Sequence, residues 1–231
     1  MKINKDEIAS YLNELYPEAH CELNYDSIFH LLIAVMLSAQ TTDASVNKVT
    51  PKLFDAYPTP IDLMNSNLND VENFIRAIGL YKNKAKNIIA TSKDLVQKFN
   101  STVPSTMEEL TSLPGVGRKT ANVVLVEGFK IPAFPVDTHV ERVSKRLGIA
   151  KQKDSVDEVE RKIRKIYKKE QYGLLHHQFI FFGRYFCKAI KPNCQECRFL
   201  NRCFKKWNCS IYERFRPLFF HKTNNNLAQK S

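Results

Sequence analysis

The chain has 231 residues, and 35 Lys+Arg against 24 Asp+Glu give a formal net charge of +11. Hydrophobic residues at 43% and aromatics at 11% exclude wholesale disorder and leave room for one or two domains with real cores. Gly 7 and Pro 10 are too few for an all-β sandwich of many tight turns or for a collagen-like chain.

The predicted elements are helical nearly throughout. Residues 5–16 form a short amphipathic helix that stops before Pro17. Residues 27–39 are apolar all round, as a central buried helix requires. This longest apolar run is too short to span a bilayer, and His30 and Ser38 interrupt it. Residues 1–7 contain no apolar signal region, so a soluble, cytoplasmic protein is expected. Residues 44–57 place Val46, Val49, Leu53 and Phe54 on one face, and Pro51 should bend or split that helix. A helix over 68–78 should close on Gly79 as its cap. The helix over 82–99 turns Ile88, Ile89, Leu95 and Val96 inward and its lysines outward. Ser105 with Glu108, or Thr106 with Glu109, makes a capping box for a short helix that stops at Leu113.

A second short helix starts at Arg118 or Lys119 and runs to about Glu127. Residues 131–135 are an irregular connector and a plausible seam between domains. Helices follow over 138–147, ending at Gly148, over 156–169, strongly charged, and over 172–187, rich in aromatics. Residues 210–231 read as a loose basic tail. No strand alternation and no internal repeat stand out, so the fold class is all-α.

Two segments carry chemistry. In Leu113-Pro114-Gly115-Val116-Gly117-Arg118-Lys119-Thr120-Ala121, two glycines let the backbone turn tightly and approach a ligand. The free N–H groups of the following helix can hold a phosphate oxygen, with Arg118 adding positive charge. The same string also reads as a plain turn between helices. Lys119 is a candidate nucleophile. An amine attacks carbon only when neutral, and the helix dipole, Arg118 and partial burial all favour that form. The second segment is Cys187-x6-Cys194-x2-Cys197-x5-Cys203. Four thiolates so close hold either zinc or a [4Fe–4S] cluster, and spacing alone does not separate them.

Leu113–Ala121 resembles the helix-hairpin-helix of DNA glycosylases, specifically the endonuclease III family, and Pro135-Val136-Asp137-Thr138-His139-Val140 resembles that family's Val-Asp-Thr-His segment. The resemblance covers roughly residues 20–205 and includes the cysteine spacing at all four positions. It implies one [4Fe–4S] cluster per chain on Cys187, Cys194, Cys197 and Cys203, as a structural staple. Lys119 then falls on the nucleophile and Asp137 on the catalytic aspartate. Asp137 could equally cap the helix beginning at Thr138, unless Thr138 and Glu141 form a capping box and leave it free. Gln40, in Ser38-Ala39-Gln40-Thr41-Thr42-Asp43, and Leu80, in Gly79-Leu80-Tyr81, fall where the family inserts side chains into the duplex. Gly115, Gly117, Arg118, His139 and Lys191 complete the implied DNA contacts. Cys21 reads as a buried packing thiol and Cys209 as a tail thiol.

The implied fold is a two-lobed helix-hairpin-helix glycosylase fold. Residues 22–132 form a helical barrel lobe, and residues 1–21 with 133–209 form the cluster lobe. The implied function is a bifunctional DNA glycosylase and AP lyase of base excision repair. It would remove oxidised pyrimidines and cleave the abasic strand by β-elimination through a lysine Schiff base. Its partner is double-stranded DNA with a damaged base or an abasic site, with no membrane, and a monomer is expected. The rivals are a monofunctional iron–sulfur glycosylase, such as a mismatch adenine glycosylase, and a non-enzymatic iron–sulfur DNA-binding module.

Overall fold

A computed structural model describes residues 3–203. Cys209 and the basic tail lie outside the described residues. The described chain is all-helical and contains no strand.

Helix α1 (Lys5–Leu15) is opened by Asn4, whose side chain accepts from the Asp6 N–H. Helix α2 (Ile28–Leu37) is capped by Ser27, and every residue from Phe29 to Leu37 is buried. Helix α3 (Asp43–Ala56) runs unbroken through Pro51, so no split occurs there. Pro51 lies on the exposed face, where water can replace its lost hydrogen bond, while Val46, Val49 and Leu53 bury on the other. The short α4 (Pro60–Met64) carries a capping box from Thr59 and Asp62 that the apolar pattern did not reveal.

Helix α5 (Leu68–Phe74) ends four residues earlier than expected. Ile75 and Ile78 both bury in the turn that follows. The left-handed residue is then Leu80, at φ 59°, and not Gly79. Helix α6 (Tyr81–Phe99) follows, with Lys84 buried against the expectation of outward lysines. Its Nζ donates to Thr41 Oγ1 at 2.7 Å, and burial lowers its pKa.

Helix α7 (Met107–Ser112), capped by Thr106, and helix α8 (Arg118–Val123) form the hairpin. A π-helical turn, Val124–Gly128, continues α8. Helix α9 (Thr138–Arg146) ends before Gly148 at φ +76°. Helix α10 (Val156–Ile166) is shorter than expected, because Tyr167 turns extended and buries its ring. The Tyr167 hydroxyl donates to the Lys5 carbonyl at 3.1 Å. Helix α11 (Tyr172–Phe181) runs on into a π-helical segment, Phe182–Phe186, and the short α12 (Leu200–Cys203) closes the described chain.

The buried side chains form two clusters. One spans Leu23 to Ala133 and is built around α2. The other joins Ile8, Tyr11 and Leu12 of α1 to Phe134–Phe199. The chain passes from one to the other between Ala133 and Phe134. No helix among the described residues is long and apolar enough to cross a membrane.

Candidate active site

The hairpin is anchored by buried Leu113 and Val116, and Thr91 donates its hydroxyl to the Pro114 carbonyl at 2.6 Å. Its two glycines serve different ends. Gly115 sits at φ +76°, and an added Cβ would lie 2.8 Å from the Asn87 side chain, so the fold itself demands glycine there. Gly117 has φ −92° and open space where a Cβ would be. Nothing inside the protein needs that glycine, and what benefits is whatever approaches from outside. No side chain caps α8, whose first N–H groups are left for an external acceptor.

This difference gives a testable contrast. Gly115→Ala should lower thermal stability, because a left-handed residue and a clash coincide. Gly117→Val should leave the melting temperature nearly unchanged, yet weaken binding to damaged and undamaged duplexes alike. Equal duplex affinity for Gly117→Val and the parent chain would remove the phosphate-binding role.

Lys119, in the first turn of α8, and Asp137, at the start of α9, line one cavity of about 80 Å³ with Ser38, His176, His177 and Phe181. Asp137 does cap α9, accepting from the Val140 N–H at 2.8 Å through Oδ1. The same residue lines the cavity, so Asp137 serves cap and pocket together. The alternative capping box does not form, because Glu141 instead pairs with Lys145 at 2.5 Å. Lys119 is exposed, not partly buried. Arg118 is also redirected, since its guanidinium meets Glu160 at 3.1 Å and Asp157 at 3.5 Å. The His139 ring is half-buried beside Arg142, and burial lowers its pKa. A larger open groove of about 730 Å³, lined by Lys48, Lys52, Asp70 and Asn73 among others, shares no residue with this pocket.

Gln40, Leu80 and Lys191 share one property that no motif shows. All three are non-glycine residues at positive φ, 54°, 59° and 51°, and all three are exposed. Such backbone costs on the order of 1 kcal/mol per residue, and Asn100, Ser101 and Lys130 share it. Lys84 secures the first of these turns through Thr41. Arg184, not singled out by the sequence, reaches from the Phe182–Phe186 segment to Glu22 and to Asp43, the latter at 3.1 Å, tying the two clusters together at the pocket. The signal for His176 and His177 was present as a polar pair inside an apolar helix.

Residues 33–169 match the family model for HhH-GPD superfamily base excision DNA repair proteins. Endonuclease III of Bacillus subtilis is 51% identical over 192 residues, 83% of this chain and 88% of that protein. The chain belongs to the endonuclease III family. Endonuclease III of Escherichia coli is 45% identical over 210 residues, 91% of this chain and 99% of that protein. Two solved endonuclease III structures superpose well. A trapped endonuclease III–DNA covalent intermediate gives a TM-score of 0.83 at 52% identity over 86% of this chain and 95% of that one. A non-covalent endonuclease III–DNA complex gives 0.86 at 50% identity over 92% and 99%.

Cys187 follows the Phe182–Phe186 segment, Cys194 and Cys197 lie in the loop after it, and Cys203 ends α12; Cys187, Cys197 and Cys203 pack against the second cluster. Buried Arg146 fixes the start of that loop, donating to Cys187 Sγ at 3.3 Å and to the Lys188 carbonyl at 2.6 Å. Burial and the other three thiols push Cys203 up to about 12. Cys21 packs against the first cluster as a buried thiol should, and burial pushes it up to about 11.

Proposed function

We infer that this endonuclease III-family chain is a base excision repair DNA glycosylase that also cleaves the abasic strand, acting on duplex DNA. The observation that carries the reading is one cavity bringing Lys119 and Asp137 together beside an uncapped helix-hairpin-helix. The pocket draws on residues of both hydrophobic clusters, which supports a two-lobed organisation with the change of lobe near Ala133 and with Cys21 on the side of the first cluster.

The chemistry follows from where the groups sit. Backbone N–H groups around Gly115 and Gly117 hold the sugar–phosphate chain, and Gln40 and Leu80 fill the space left by an extruded nucleotide. The damaged base, an oxidised pyrimidine, enters the cavity. Neutral Lys119 attacks C1′, and the C1′–N bond breaks with its electron pair leaving on the base, which takes up a proton. Asp137 stabilises positive charge developing on the sugar. The C1′–O4′ bond then opens, O4′ takes up the proton lost by the amine, and C1′ and Nζ are left joined as the protonated Schiff base. That cation acidifies the C2′ proton, and β-elimination expels the 3′ phosphate. Lys119 is exposed in the free protein, so bound DNA itself supplies the desolvation that favours the neutral amine. A monofunctional relative would leave Lys119 idle, and a binding module would leave the pocket idle.

The four cysteines fit a [4Fe–4S] cluster. All four thiols fall between Cys187 and Cys203, and the Cys-x6-Cys-x2-Cys-x5-Cys spacing is the one that the endonuclease III resemblance pairs with that cluster. When bound, the cluster closes the loop as a structural staple, and no step of the reaction needs its electrons. A preparation made anaerobically should be yellow-brown and contain about four iron atoms per chain. One zinc and no colour would contradict the assignment.

The experiment for the function is single-turnover incubation with a duplex carrying an oxidised pyrimidine. Base release together with strand cleavage is expected. Base release without cleavage would indicate the monofunctional reading, and binding without either would indicate a module.

A further inference from the structure

We propose that Glu127, His176 and His177 form a binding site for a divalent transition-metal ion of the zinc type on the wall of the pocket. A carboxylate oxygen of Glu127 and one ring nitrogen from each histidine all lie within 4.8 Å of one another. The π-helical turn after α8 delivers Glu127, and successive residues of α11 deliver the two histidines. His177 Nε2 and Glu127 Oε1 are 2.6 Å apart, joining the two halves of the molecule.

The second observation is an unsatisfied group. His176 is 2% exposed, and its Nδ1 has no hydrogen-bond partner among the described residues. A buried nitrogen without a partner costs free energy, and a native structure keeps few of them. A plain buried pair of Glu127 and His177 accounts for two of the three residues and leaves that nitrogen unexplained. Two imidazoles and one carboxylate are the donor set of a zinc site with an open fourth position. The nitrogen ligands disfavour calcium and magnesium. Metal binding replaces the His177–Glu127 hydrogen bond by two metal–ligand bonds, and the ring proton moves to Nδ1 of His177 or to water.

Both histidines line the cavity that holds Lys119 and Asp137. An ion there places two positive charges beside a sugar that must itself become cationic, so zinc inhibits base release. That consequence rests on the glycosylase reading, whereas the site does not. Binding is therefore measured without DNA, which keeps the two separable.

The test is calorimetric titration of the iron-loaded holoprotein with Zn²⁺, with iron content and visible absorption followed throughout. One Zn²⁺ per chain with no loss of iron is expected. Changing groups that merely support a metal ligand costs about 10–100-fold in affinity, so losing a ligand should cost at least about 100-fold. Glu127→Gln should show that loss while keeping a hydrogen bond to His177. His176→Phe, which retains a ring against Phe134, should show it independently. The ratio of base-release rates with and without zinc should fall in the parent chain and stay at one in both variants. Absence of binding overturns the proposal. So does equal binding in both variants, or zinc uptake accompanied by iron loss, which would place the ion on the cysteines.

Discussion

Lys119→Gln abolishes base release and covalent trapping together, because one amine supplies the electrons for both. Removing an enzyme nucleophile typically costs on the order of six powers of ten in turnover. The side chain is exposed at the pocket mouth, so the variant folds and its stability changes by less than about 0.5 kcal/mol. Duplex binding stays largely intact, since the backbone N–H groups of the hairpin remain and one contact among several is a small share of affinity. Single-turnover assays on a damaged duplex, paired with binding isotherms at fixed salt, check this. Parental rates in Lys119→Gln would refute the mechanism, and lost binding would make Lys119 a phosphate contact instead.

The second large effect separates Asp137 from Lys119. Asp137→Asn keeps the α9 cap, because an asparagine oxygen accepts from the Val140 N–H as well as a carboxylate oxygen does. Any loss of rate then belongs to the charge facing the cavity and not to the fold. On an intact damaged base the loss should be about 100- to 1,000-fold, the usual size for an electrostatic stabiliser. On a pre-formed abasic site, where no base has to leave, trapping should survive with a much smaller loss. Single-turnover rates on both substrates measure the difference. Equal losses would assign Asp137 a shared proton-transfer or structural role.

That Lys119 and Asp137 line one cavity follows from local strings whose geometry is set within a few residues. Gly115 needs its left-handed backbone, Lys119 follows in the next helical turn, and Asp137 opens α9. The same holds for α2, whose continuous apolar run could only be buried. What the sequence hid depends on partners far along the chain. Arg118 looks like a free phosphate ligand until α10 brings up Glu160, 42 residues away. Lys84 looks like one outward lysine among several until Thr41 meets it. The α5–α6 turn shows the limit of a local rule. Glycine after a helix suggests a left-handed cap, but burial of Ile75 and Ile78 moves the reversal onto Leu80. Asp137 shows a different limit. Its place before Thr138 suits a cap or a pocket residue, and in the fold it both caps α9 and lines the cavity.

The proposed mechanism requires that Lys119 form a covalent bond to the sugar. Incubating the parent chain with an abasic duplex in the presence of borohydride, followed by proteolysis and mass mapping of the adduct, tests it most directly. A stable protein–DNA adduct carried by the peptide containing Lys119, and by no other, is expected. An adduct on a different lysine, or strand cleavage with no adduct at all, would contradict it.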